Sequence, residues 1–266
     1  FKIIPILNPD GVARGHYRTD TRGENLNRVY SDPKPNIHPT IFATKQMVLQ
    51  LHAKKQLAFY IDLHAHATKR GCFIYGNCLE KYEEQVNNVL FAKLISINSQ
   101  HFDFLACNFS EKNMYSKDSL GQSKAGAGRV SIYNETKLVN CYTLECNYNS
   151  GKTVNKLQPF ASSSDKSGIQ PEQKQLRVPA RYTIEMFQEM GRGIAIALLD
   201  YYDLNPVSRL ATTSYKNAKG LATWLSKIIA KKPKFWDEKY AAEQTLNNEN
   251  VKQQNNVGSI KQIAAP

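Results

Sequence analysis

Apolar positions along this chain follow two rhythms. Continuous short runs occur at Phe1–Leu7, Leu57–Leu63 ("LAFYIDL"), Cys72–Tyr75 and Val139–Cys146. Apolar runs of this length read as strands covered on both faces. Arg129–Tyr133 reads as one more strand. Pro5 assigns the first run to an edge or a bulge, and Asn8-Pro9-Asp10-Gly11 behind it has the chemistry of a type I turn. The other rhythm is helical. Over Glu80–Gln100, Tyr82, Val86, Val89, Leu90, Leu94 and Ile97 recur at three- and four-residue spacing. Over Thr183–Tyr202, Phe187, Met190, Ile194, Leu198 and Tyr201 form the inward stripe. Gly191 and Gly193 weaken that helix unless close packing on a sheet requires them. Pro39–Lys55 is moderately helical, and Asn155–Ala180 is polar enough to be a long loop. Strands alternating with helices predict an α/β fold, a mixed and mostly buried sheet flanked by helices. Residues 1–204 carry this pattern. Residues 205–266 are rich in Lys, Asn and Gln, and are expected to be partly helical and then, from about Glu243, disordered. Phe1 already reads as the inside of a strand, so we expect a longer protein, with the fold incomplete at the N-terminus of this chain.

Composition narrows the partners. The 266 residues are 41% hydrophobic, enough for a sizeable core, and carry a formal net charge of +12. That excess favours an anionic partner: nucleic acid, an acidic membrane surface or an acidic peptide. No run approaches the roughly 18 apolar residues of a membrane span, and the basic segments lack the interleaved aromatics of an RNA module. Nucleic acid and membrane are therefore not expected. The five cysteines are irregularly spaced without a CxxC pair, which argues for reduced thiols and against a cysteine zinc site.

Three stretches hold candidate chemistry. "FYIDLHAH" delivers Asp62, His64 and His66 to one face of a strand. Imidazoles two apart beside a carboxylate suit a metal or a proton relay; satisfied histidines at a strand end fit the pattern equally well. "NCYTLECNYNSG" holds Glu145 inside an apolar strand. A carboxylate there is costly unless paired, bonded or protonated. It is either a general base of raised pKa or a structural partner for an arginine. "NPDGVARGHYRTDTRGENLNR" carries Arg14, Arg18, Arg22 and Arg28. Arg18 and Arg28 can each grip a carboxylate or oxyanion through paired N–H donors, with Asn27 adding an amide. Arg14 and Arg22 read as solvated loop residues. "SLGQSKAGAGRV" presents Lys124 and Arg129 from a Gly-rich, flexible loop that lacks the phosphate-loop pattern.

In order, "NPDG", "GHYR", "NLNR", "DLHAH" and "YTLE" resemble the zinc metallocarboxypeptidases, and among them the cytosolic carboxypeptidases, over roughly Phe1 to Asp203. The resemblance implies a metallocarboxypeptidase-like fold, a Zn2+ cofactor and protein deglutamylation: removal of C-terminal or branch-point glutamates from acidic tails such as polyglutamylated tubulin. It implies a cytoplasmic location, with nuclear or microtubule association open. It matches His64 to a zinc ligand, Glu145 to the general base and Arg18 to the oxyanion arginine. Asn27 with Arg28 match the pair that holds the substrate's terminal carboxylate. Arg129 and Lys124 match, more loosely, the lining of the pocket for the departing side chain; His66 is placed behind the ligands, and Tyr115 and Tyr133 are candidates for a tyrosine near the leaving group. The family's other two zinc ligands come from an H-x-x-E motif, and no histidine of this chain is followed three residues later by Glu. The alternative implied is a catalytically dead fragment or pseudoenzyme that binds acidic peptides.

Overall fold

The computed structural model describes residues 1–118, 120–151, 154–161 and 180–230. Its centre is a three-stranded mixed sheet built from β1 (Tyr60–His66), β2 (Cys72–Tyr75) and β3 (Cys141–Asn147), in the order β1-β3-β2. Strand β3 is central, parallel to β1 and antiparallel to β2. That position explains its near-continuous apolar run, because both faces are covered. Tyr142 and Leu144 join Phe73, Phe91 and Leu94 in the larger core, with Phe59 and Ile61 packed against it. Cys141, on the other face, joins a smaller core with Val130, Ile132 and Tyr133.

Helix α3 (Tyr82–Asn98) lies over the larger core and packs against α6 (Ile184–Tyr201) and α7 (Ala218–Ile229). The stripe read from the sequence is correct but narrow: Gln85, Asn88, Phe91, Ile95 and Asn98 are buried as well. Their amides are bonded locally, Gln85 accepting from Leu79 N at 2.7 Å and Asn98 donating to Asp200 at 2.7 Å, while Oδ1 of Asn88 and of Asn98 has no partner. On α6, Met190 is buried but Phe187 is 39% exposed, so the inward stripe begins later than its spacing predicts. Gly193 does meet a close neighbour, but it is the end of α3 around Asn98 and Ser99 rather than a sheet, and Gly191 faces open space. Leu221, Leu225 and Ile229 of α7 belong to the same larger core, which brings residues beyond 204 into contact with it. Among the described residues no helix is long and apolar enough to cross a membrane.

Helix α2 (Pro39–Ala53) and short helix α4 (Glu111–Tyr115) bring Val48 and Met114 to the smaller core; a short helix α1 (Pro9–Ala13) precedes them in the chain. A two-residue pairing, β4 (Ser150–Gly151) with β5 (Ala180–Arg181), follows the sheet.

Three expectations fail. Phe1–Leu7 forms no strand; Phe1, Ile3, Ile4 and Ile6 are exposed, and no described strand offers the ladder that apolarity alone cannot supply. Asn8-Pro9-Asp10-Gly11 is not an isolated turn but opens α1, with Asn8 Oδ1 accepting from Gly11 N at 3.1 Å as an N-cap. Arg129–Tyr133 is not a strand: it lies in helix α5 (Gly128–Thr136). That helix is buried nearly all round, so its sequence shows no 3.6-residue stripe. Residues 162–179 of the expected long loop, and the tail from 231 on, including its Asn/Gln-rich part, lie outside the described residues.

Candidate active site

The parallel register of β1 and β3 sets His64 directly opposite Glu145, with Asp62 opposite Thr143 and His66 opposite Asn147. Side-chain alternation puts all six on the α5 side of the sheet. On the other flank of β3, Phe73 pairs with Glu145 and is fully buried. His64 and Glu145 therefore stand side by side at the C-terminal ends of neighbouring parallel strands, with the buried Phe73 on the carboxylate's other flank.

His64 Nε2 lies 2.8 Å from Asp62 Oδ2. With that N–H engaged by the buried carboxylate, Nδ1 retains its lone pair for a metal or a proton. Burial works against a charged His64, but the Asp62 hydrogen bond and charge, with Glu145 behind, outweigh it and raise the pKa. Burial likewise raises the Glu145 pKa, against the lowering pull of His64, His66 and Arg18. His66 is differently occupied: its Nδ1 accepts from Lys69 N at 2.9 Å and its ring stands edge-on to Phe73. It shapes the turn after β1.

Arg18 is exposed and close enough for its charge to act on both His64 and Glu145. Arg14 and Arg22 are exposed loop residues. Two tyrosines stand nearby that sequence reasoning passed over. Burial and a hydrogen-bonded Tyr17 raise the Tyr148 pKa, and Arg18 and Glu145 also act on it. Tyr75, on β2, is raised by burial and by the Glu145 charge. The candidates Tyr115 and Tyr133 instead sit near Asn134 and in the smaller core. Nothing in the spacing of Tyr75 or Tyr148 marks them; only the fold brings them near Glu145.

Asn27 and Arg28 form a 3-10 turn, Leu26–Arg28, locked to the Gly-rich segment. Asn27 Oδ1 accepts from Gly128 N at 2.9 Å, and Tyr30 N donates to Gly126 O at 3.0 Å. A Cβ on Gly126 would collide with Arg28 O, so only glycine permits this approach. Arg28 is ion-paired with Asp118, its Nη2 at 2.9 Å from Oδ2. The segment is thus built rather than loose: Ser123 caps a 3-10 turn at Lys124–Gly126 that runs into α5.

Arg129 is buried, with Nη1 donating to Gly76 O and to Asn77 Oδ1 (2.7 Å) and Nη2 to Asn113 Oδ1 (2.9 Å). These are neutral acceptors, and Nε has no partner. Burial pushes the guanidinium down to about 10 while leaving it charged. Lys124 is lowered by burial and by the charges of Arg28 and Arg129. Arg28, Lys124 and Arg129 therefore form a cationic cluster, with the Glu145 charge reaching Arg129 from the sheet.

A catalytic zinc needs about three protein ligands and an open position. His64 fits one of them, through Nδ1. Among the described residues no three His, Cys, Asp or Glu groups gather to complete such a site. All five cysteines are free, as the sequence suggests.

No family profile matches the chain. It is 36% identical over 316 residues to cytosolic carboxypeptidase-like protein 5 of Rattus norvegicus, covering 86% of this chain and 38% of the relative. It is 36% identical over 212 residues to cytosolic carboxypeptidase 6 of Homo sapiens, covering 78% of this chain and 36% of the relative. The chain thus spans well under half the length of the curated relatives it matches. Its fold is similar to a metallo-carboxypeptidase from Burkholderia cenocepacia, with a TM-score of 0.53 and 19% identity over 76% of this chain and 44% of that one.

Proposed function

The chain belongs to the cytosolic carboxypeptidase family, and on that premise we propose that it is part of a zinc metallocarboxypeptidase acting on acidic protein tails. The reaction is hydrolysis that frees C-terminal or branch-point glutamates, as on polyglutamylated tubulin. The observation that carries the proposal is the register: one imidazole and one desolvated carboxylate face each other across neighbouring strand ends. The names of the relatives support a cytosolic location.

Zn2+, with His64 Nδ1 as one of its ligands, would supply Lewis acidity and an acidified water. The chain's own residues do the rest. Glu145, its pKa raised by burial, takes a proton from the attacking water and returns it to the leaving amine. Asp62 holds His64 in one tautomer and orientation. Arg18 presents a guanidinium to the charge that grows on the scissile carbonyl oxygen. Asn27 and Arg28 hold the terminal carboxylate, and Lys124 and Arg129 favour an acidic departing side chain over a neutral one.

The test uses the intact protein and three peptides ending in free Glu, free Gln or an amide. We expect release of Glu in preference to Gln, no release from the amide, and loss of turnover after dialysis against a metal chelator. Equal release of Glu and Gln would remove the acidic specificity, and chelator-resistant turnover would remove the metal. A second reading, an acidic-tail binder without hydrolysis, draws on the cationic cluster of Arg28, Lys124 and Arg129 alone. It predicts tight binding of the Glu peptide with no release by the intact protein.

A further inference from the structure

Between the arginine-bearing loop and the Gly-rich segment lies a cavity of ≈ 370 Å³ lined by Glu24, Asn25, Arg28, Ser31, Gln122 and Ser123 among others, the Glu24 carboxylate being paired with His38. Two of its lining groups have bonding capacity to spare. Asn25 is 6% exposed; its Oδ1 caps the 3-10 turn by accepting from Asn27 N, and its buried Nδ2 has no partner. Arg28 has five N–H donors. Nε donates to Asp118 Oδ2 at 3.0 Å, Nη2 lies 2.9 Å from the same oxygen in the ion pair, and Nη1 donates to Asn27 O at 2.7 Å. Asp118 thus takes one side of the guanidinium and Asn27 O the other. At least one N–H is left on each terminal nitrogen, enough for an end-on grip of a carboxylate through two parallel bonds.

Asp118 is itself held in place. Its Oδ1 accepts from Leu120 N and Gln122 N, both at 3.0 Å, in a tight turn with Gly121 at φ 77°. Its side chain is 15% exposed and that of Arg28 10%. A rigid, half-buried anion beside an arginine fixes the direction in which the remaining donors point.

We propose that Asp118 and Asn25 complete the carboxylate grip of Arg28: Asp118 as a positioning residue that aims the end-on N–H pair into the cavity, Asn25 as a further donor, from Nδ2, to the same carboxylate. The inference rests on the reading of Arg28 as the anchor for a terminal carboxylate. It adds the two residues that set how sharply a free C-terminus is told from a blocked one.

Two substitutions isolate these roles. Asp118→Asn keeps an Oδ1 acceptor for the turn but replaces Oδ2 with a group that cannot accept from Arg28. Asn25→Asp keeps the Oδ1 cap and removes the Nδ2 donor. The readout is fluorescence anisotropy with a labelled oligoglutamate peptide, free acid against C-terminal amide, on the chain as it stands. We expect the wild type to prefer the free acid and each variant to lose about tenfold of that preference, the scale of one charge-assisted hydrogen bond. Amide binding should stay within about twofold, which general loosening of the loop would not produce. A wild-type preference that both variants retain overturns the inference alone. So does tighter acid binding by Asp118→Asn, which would make Asp118 a competitor for Arg28. A wild type indifferent to the free carboxylate overturns the anchor reading, and this inference with it.

Discussion

Glu145 is 9% exposed among groups that cannot solvate it fully, and its pKa is raised chiefly by that desolvation. A carboxylate whose folded-state pKa lies above its unfolded value binds its proton more tightly in the native state. Stability then falls as pH rises from the unfolded value through the folded one. In the metal-free chain, Glu145→Gln should therefore melt at a higher temperature than wild type near pH ~7, and the gap should close toward pH ~4. Equal melting at both would mean the carboxylate is well solvated. Arg129 is the opposite case. Its neutral acceptors on Gly76, Asn77 and Asn113 depend on it, so Arg129→Met should cost about 3 kcal/mol in denaturant unfolding. A loss under ~1 kcal/mol would place water on those acceptors. At this scale the sequence was readable where chemistry is costly: an acid inside an apolar strand and a cation in a Gly-rich loop both stand out. Asp118 and Asn25 did not, because Asx residues in turns are ordinary, the role of Asp118 exists only through Arg28, distant in sequence, and that of Asn25 only through the cavity it lines.

Elements with one clean apolar stripe or one continuous apolar run were legible, and elements positioned by tertiary contact were not. Cys72–Tyr75 was read with its observed bounds, and Val139–Cys146 within two residues of β3. Helix α5 was misread because Arg129, Val130, Ser131, Ile132 and Tyr133 are all buried, leaving β-branched residues as the only local signal. Phe1–Leu7 was misread for the converse reason: its residues favour a strand and no described strand pairs with it. The junction of the 3-10 turn at Leu26–Arg28 with that at Lys124–Gly126 depends on one glycine. Gly126→Ala should push the two apart, lowering stability by about 1–3 kcal/mol and weakening oligoglutamate binding. Unchanged binding would detach this junction from recognition.

For the whole molecule, the charge of +12 and the cluster of Arg28, Lys124 and Arg129 give one electrostatic expectation. Association with acidic peptides should slow steeply as salt rises, because steering is screened beyond about 10 Å at 0.1 M. Dissociation should change less, since the contacting cations are partly buried. Stopped-flow mixing separates the two, and a salt-insensitive on-rate would confine recognition to short-range contacts. The central claim remains that His64 and Glu145 face each other as metal ligand and base. It is tested most directly by mass spectrometry of a glutamate-ended tail peptide incubated with the intact protein and with its Glu145→Gln variant. The account predicts that the wild type shortens the peptide one glutamate at a time, while the variant binds it and leaves it whole. Shortening by the variant at the wild-type rate would contradict it.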